Sequence, residues 1–312
     1  MNLFTKALFV VGSDGNIAQQ ALNHAIRFCS DNGVTLNILC VAPDLAPLHF
    51  SNATELLDKL LEARKAHTHA KISTQIEQKC PSFDGEIFIK HGKTLLEVLR
   101  QVAFCHYDLV IKEVENPHWI NSIFGSDDLH LIRKCPCATW LIQPNAPVQY
   151  ERVGLALDFS GEAVEEALNL SLAQHALNMA YASDEPIHLI SAYDAGIAHS
   201  VSDWADNAEA FEQHYLEDEY KRRRFSSDYL IQQVGANTKR LEIQTFIIKG
   251  EASTVVPMHV LSKEIDLLVM GSVGRAGILG LLIGNTAESI LAQINCSLLT
   301  LKPEGFRCPI KL

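Results

Sequence analysis

The chain has 312 residues, 47% hydrophobic and 20% charged, a globular mixture with enough apolar material for one large domain or two ordinary ones. A formal net charge of −11 argues against a broad nucleic-acid surface, because phosphate backbones are gripped by clustered Lys and Arg. The opening "MNLFTKALFVVGSDG" has neither a signal-peptide apolar core nor a small-residue cleavage site, and no apolar run reaches membrane-span length, so a cytoplasmic protein without a membrane span is expected.

In chain order, short apolar runs alternate with long amphipathic stretches. The first half predicts strands near 7–12, 35–42, 85–90, 107–112 and 138–143, and helices near 16–31, 52–79, 93–104 and 126–134. The second half predicts strands near 152–158, 186–193, 241–248, 265–270 and 297–302, and helices near 161–181, 204–235, 252–262 and 286–294. Runs such as "LFVV", "DLVI" and "LLVM" are continuous rather than alternating, the mark of parallel strands covered on both faces. The expected fold is α/β, with two tandem doubly wound parallel five-stranded sheets. Ligands of such sheets bind beyond the carboxyl ends of the strands, at the switch point.

The chain is written twice. "FIKHGKTLLEVLRQVAFCHYDLVIK" matches "FIIKGEASTVVPMHVLSKEIDLLVM", setting Phe88 over Phe246, Gly92 over Gly250 and Asp108 over Asp266 at one offset. "CATWLIQP" lies opposite "CSLLTLKP", and "KALFVVGSDG" opposite "RVGLALDFSG". The expected domains are 1–145 and 146–312, joined by the Pro-containing "QPNAPVQY".

The eight cysteines sit mostly in apolar segments and read as small hydrophobes, and the C-x-C of Cys135 and Cys137 is a weak redox motif. Nothing in the sequence brings that pair to His67 and His69 as a metal site. The basic run Lys221–Arg224 follows "EDE" at i,i+4 spacing and reads as a solvated helix face. Farther upstream, Trp204 and Phe211 read as packing residues rather than as a lid over the crevice.

The chemistry concentrates after the fourth strand of the second half, in "GSVGRAGILGLLIGNTAESIL". It is neither a P-loop, which needs a Lys after its last Gly, nor G-x-G-x-x-G. Gly271 and Gly274 suit positive φ and close approach of a ligand. Asn285 reads as a helix N-cap with Glu288 three residues on, so that Gly284, Asn285 and Thr286 present helix N-terminal amides suited to phosphate. From the glycines alone, an apolar connector packed on the sheet stands level with a phosphate loop.

The spacing Gly271, two residues, Gly274, nine residues, Gly284 resembles the nucleotide-binding motif of the universal stress protein family, and the resemblance covers both halves, as in tandem members. It implies an adenine-nucleotide ligand, ATP with or without Mg²⁺. Asp158, at the end of the half's first strand, would then face the nucleoside. A backbone contact to adenine would come from Ala192, and Ala156 and Met270 would line the base pocket. Asn285 replaces the small hydroxyl residue of the motif, with Thr286 following. The resemblance also implies that the two halves pair within one chain as a pseudo-two-fold dimer, and it leaves a homodimer open.

The first half departs from this pattern. Gly12 stands in the place of Asp158, Glu113 and Asn116 replace the first two glycines, and Gly125 with Ser126 is what survives. Asp127 and Asp128 add anionic charge in the first helical turn, where they would compete with a phosphate. His118 and Trp119 read as packing or rim residues. No nucleophile–base pair carries motif support, so the chain is at most a weak ATPase. Three readings stand: a stress-response regulator binding ATP through its second half, a slow ATPase at the same site, or a scaffold whose crevices hold an apolar or lipid-like ligand.

Overall fold

The computed structural model describes residues 3–44, 53–115, 126–159, 163–180, 183–196, 207–235, 242–272 and 284–310. These fall into two compact units, the first gathering the described residues of Met1–Pro117, Phe124–Val148 and Arg307–Leu312, the second those of Gln149–Phe306.

The first unit runs β1 (Lys6–Val11), α1 (Gln19–Asn32), β2 (Thr35–Ala42), α2 (Ala53–Glu77), β3 (Ile87–His91), α3 (Thr94–Cys105), β4 (Leu109–Glu113), α4 (Ser126–Lys134) and β5 (Ala138–Ile142). Its strands pair in parallel in the order β3-β2-β1-β4-β5. The second unit runs β6 (Val153–Ala156), α5 (Ala163–Met179), β7 (Ile187–Tyr193), α6 (Ala208–Gly235), β8 (Ile243–Lys249), α7 (Ala252–Ser262), β9 (Leu267–Gly271), α8 (Asn285–Leu291) and β10 (Ser297–Leu301). It repeats the pattern as β8-β7-β6-β9-β10, again parallel. Even the register repeats: Ala7 opposes Leu109 in one unit, and Val153 opposes Leu267 in the other. The continuous apolar runs are explained, since Leu109, Val110 and Ile111 of β4 and Leu267, Leu268 and Val269 of β9 are all fully buried.

The repeated aspartates and glycines have structural reasons. Asp108 accepts the Thr5 and Lys6 backbone N–H groups at 2.7 and 3.0 Å, holding the start of β1 beside β4. Asp266 does the same for Arg152 at 2.9 Å and Glu151 at 3.2 Å. Gly92 and Gly250 turn out of β3 and β8 with φ of 127° and 137°, which favours glycine. Each returns its N–H to the end of the neighbouring strand, Gly92 to Ala42 O at 3.0 Å and Gly250 to Tyr193 O at 2.8 Å.

Two local expectations change. The helix expected near 286–294 ends at Leu291, and Gln293 and Ile294 bond back to Ile290 O in a turn. Phe211 is 43% exposed on α6, so it does not pack in the core, while Trp204 lies outside the described residues.

Candidate functional site

In each unit the strand order reverses between the first and fourth strands, which places the switch-point crevice of the second unit between β6 and β9. Ala156 ends β6 and opposes Met270 of β9 directly in the parallel register, so these two stand side by side at the floor of the crevice. Met270 is buried. Asp158 follows two residues beyond β6 with its side chain 48% exposed, able to accept from a ligand. Asn169 of α5 donates to the Asp158 backbone carbonyl at 2.6 Å and fixes the chain there. Ala192 lies one residue from the end of β7.

Gly271 ends β9, but not with the positive φ expected of it. A Cβ there would come within 3.2 Å of Leu168 Cδ2, so the glycine lets α5 approach the strand end without moving that side chain. Gly274 lies outside the described residues. Ser272 and Gly284 are tied together, Gly284 N–H to Ser272 O at 3.4 Å, and Ser272 N–H in turn reaches Leu301 O at 3.2 Å. The chain therefore leaves and re-enters at one point beside β9. The N-cap of α8 is Gly284, not Asn285, so the expected Asn285–Glu288 capping box gives way to a cap without a side chain. Asn285 and Thr286 are the first two helical residues, both exposed. Their amides precede the first intrahelical bond, Glu288 N–H to Gly284 O at 3.0 Å.

Sequence reasoning missed Arg223. The run Lys221–Arg224 is not a uniformly solvated face, because Arg223 is 5% exposed. Its Nε donates to Ala192 O at 2.9 Å, its Nη1 bonds Glu219, and its Nη2 lies 3.9 Å from Asp158 Oδ1. Burial disfavours the Glu219 carboxylate, but hydrogen bonds from Arg222 and Arg223 outweigh it and hold the pKa below the usual value. The signal was the helix phase. Arg223, Ser227, Leu230 and Val234 are all buried, at spacings of four, three and four, so counting back from the two apolar residues puts Arg223 on the inner face.

At the matching place the first unit holds a buried ion pair. Lys112, matching Met270, is buried within β4 and lies 2.8 Å from Asp128 Oδ1, whose residue is fully buried and matches Ala287. The other Asp128 oxygen accepts the Glu115 N–H at 2.9 Å, and Lys112 also pairs with Glu115 at 2.8 Å. Burial disfavours the Lys112 ammonium, but Asp128 and Glu115 more than offset it and raise its pKa. The carboxylate of Asp128 thus takes a cation and a backbone N–H, the two donors a phosphate would seek. Beyond β1, Lys71 and Gln75 of α2 donate to the carbonyls of Asp14 and Gly15, both at 2.9 Å. Gly125, His118 and Trp119 lie outside the described residues.

Residues 149–302 match the model of the universal stress protein family. These residues, nearly all of the second unit, belong to that family. It is 28% identical to universal stress protein E of Photorhabdus laumondii over 97% of both chains, and 25% identical to the universal stress protein E homolog of Haemophilus influenzae over 96% of this chain and 97% of that one. Among solved structures it resembles a functionally unknown protein from Pseudomonas aeruginosa PAO1, with a TM-score of 0.68, 20% identity, and coverage of 97% of this chain and 94% of that one. A putative universal stress protein from Pseudomonas aeruginosa UCBPP-PA14 gives a TM-score of 0.66 at 20% identity, covering 97% and 95%. At these identities the structures speak for the fold. No helix among the described residues is long and apolar enough to cross a membrane.

Proposed function

We propose that this universal stress protein acts as a stress-response regulator whose second unit binds ATP or a related adenine nucleotide. The observation that carries the reading is the set of groups gathered at one switch point. Ala156 and Met270 are register neighbours, Asp158 follows two residues beyond β6, and the glycine loop springs from and returns to the end of β9. The base would lie against Ala156 and Met270, with its amine toward the Ala192 carbonyl. Asp158 would accept from the ribose hydroxyls. Gly271, Gly274 and Gly284 would let the loop backbone approach the phosphates, and the amides of Asn285 and Thr286 would donate to them. Mg²⁺, where present, would be held mainly by the phosphates.

The first unit does not share this role, because Asp128 already occupies Lys112 and the Glu115 N–H. One nucleotide per chain is therefore expected. No general base or nucleophile with motif support accompanies the site, so binding rather than turnover is its work.

Calorimetric titration with ATP·Mg²⁺ tests the reading, alongside a phosphate-release assay. Binding of one ATP per chain, lost in Gly284→Val and weakened in Asp158→Ala, is the expected result. No binding to the unaltered chain, or binding unaffected by both substitutions, overturns it.

A further inference from the structure

Arg223 belongs to the most highly charged stretch of α6, yet its guanidinium is almost wholly withdrawn from water. Burying a charge without partners is costly, so this arginine must be held by what it touches. Glu219, one turn earlier on the same helix, supplies the counter-charge with its side chain 15% exposed. The Ala192 carbonyl supplies a hydrogen bond at 2.9 Å, and Asp158 Oδ1 supplies a second anion at 3.9 Å. Tyr193 and Tyr220 meet edge to face at 6.0 Å between ring centres, fixing the helix over the end of β7.

The groups that Arg223 engages beyond its own helix are two of the acceptors assigned above to the ligand. A guanidinium donates and cannot accept. It therefore donates to Ala192 O as an adenine amine would, and it sets its positive charge 3.9 Å from the carboxylate that a ribose hydroxyl would approach. Its neighbours Lys221, Arg222 and Arg224 do not do this, and pair instead with acids of α6 itself.

We infer that Arg223 is an intramolecular stand-in for the nucleoside, a residue that competes with the ligand for Ala192 O and Asp158 and thereby sets the affinity of the site. The inference rests on the nucleotide reading of the second unit. Entry of the ligand displaces the guanidinium, which keeps Glu219 and moves with α6. The chain thus couples occupancy of the crevice to the setting of a long helix whose outer face carries Phe225 and Tyr229 in solvent. A site closed in this way about nine-tenths of the time shows an apparent Kd raised about tenfold over its intrinsic value.

The test is calorimetric titration of ATP·Mg²⁺ into the unaltered chain, Arg223→Met and Arg223→Lys, with far-UV circular dichroism to verify folding. Hydrogen exchange of α6 amides is followed with and without ATP. The methionine keeps the aliphatic stem and removes every donor. The lysine keeps a charge but cannot reach Ala192 O, Asp158 and Glu219 together, and it serves should the methionine variant not fold. The expected result is roughly tenfold tighter binding in Arg223→Met, a smaller gain in Arg223→Lys, and faster α6 exchange in the unaltered chain on adding ATP. Equal or weaker binding in the variants, with ATP still bound by the unaltered chain, overturns the inference and leaves the nucleotide reading standing. No binding in any of the three proteins overturns both.

Discussion

The buried pair Lys112–Asp128 can be taken apart in a way the chain itself suggests, since the second half has Met270 and Ala287 at the matching positions. Asp128→Ala removes a fully buried carboxylate, leaving the Glu115 N–H without that acceptor and the Lys112 ammonium with Glu115 and the Glu113 carbonyl. Lys112→Met takes the Lys112 charge away from the buried Asp128 carboxylate, although the Glu115 N–H remains. Breaking a buried pair from one side costs about 3–5 kcal/mol. The aspartate substitution should fall near the lower end, because Glu115 still neutralises the lysine at 2.8 Å. Lys112→Met/Asp128→Ala together leave no buried charge and should return to within about 2 kcal/mol of the unaltered chain, the remainder being the lost hydrogen bond and the space left by the carboxylate. Trp140 of β5 provides the probe, since it is 1% exposed and opposes Ile111 of β4. In a Trp119→Phe/Trp204→Phe background its fluorescence alone reports urea unfolding of the first unit. A double variant as unstable as the sum of the two single ones would falsify the reasoning, as would a single variant within about 1 kcal/mol of the parent.

Burial, helped by the charges of His188 and Lys263, lowers the pKa of His259 to about 4. The folded state therefore favours the neutral ring, so the stability it contributes is complete above pH 6.5 and is lost as pH falls toward 4; about 2 kcal/mol should go across that window and much less in His259→Gln, measured by urea midpoints. Gly250→Ala should cost more than Gly92→Ala in the same assay. Both glycines have positive φ, but at Gly250 the new methyl would clash with Val255 Cγ1 at 2.8 Å, whereas at Gly92 it would make an ordinary contact with Glu97 Oε1 at 3.8 Å. Burial raises the Cys29 and Cys296 thiols to about 12, so iodoacetamide at pH 8, followed by peptide mass spectrometry, should label Cys80 long before either.

The parallel sheets were legible because strands buried on both faces carry continuous apolar runs, and the repeat was legible because Asp108/Asp266 and Gly92/Gly250 answer backbone demands that recur wherever the fold recurs. The strand-end positions of Ala156, Asp158, Ala192 and Met270 followed from the same pattern. Side-chain partners were harder to see. Within "KRRR" each residue is a cation, and only the phase of α6 separates the buried Arg223 from the half-buried Arg222 and the exposed Lys221 and Arg224. Lys112 was hidden for a related reason: a cation at the end of an apolar strand gains meaning only from an aspartate sixteen residues on, brought to it by tertiary folding. The N-cap of α8 falls at Gly284, whose N–H meets Ser272 O, a tertiary contact that a capping rule read from sequence does not contain.

That contact has an engineering consequence. Because Ser272 O accepts from the Gly284 N–H, the two ends of the intervening segment are held together beside β9, and the stretch between them can be treated as a cassette. Lengthening a closed loop is cheap, about 0.6 kcal/mol for each doubling, so a change in its length should cost β9 and α8 little. In the first unit the strand and helix that flank the matching segment carry Lys112 and Asp128 and join them in a salt bridge, so the two copies diverge in what stands at the ends of the segment while the sheets keep the same register. Grafting the glycine cassette onto the first unit, with Lys112→Met and Asp128→Ala, would be the corresponding design.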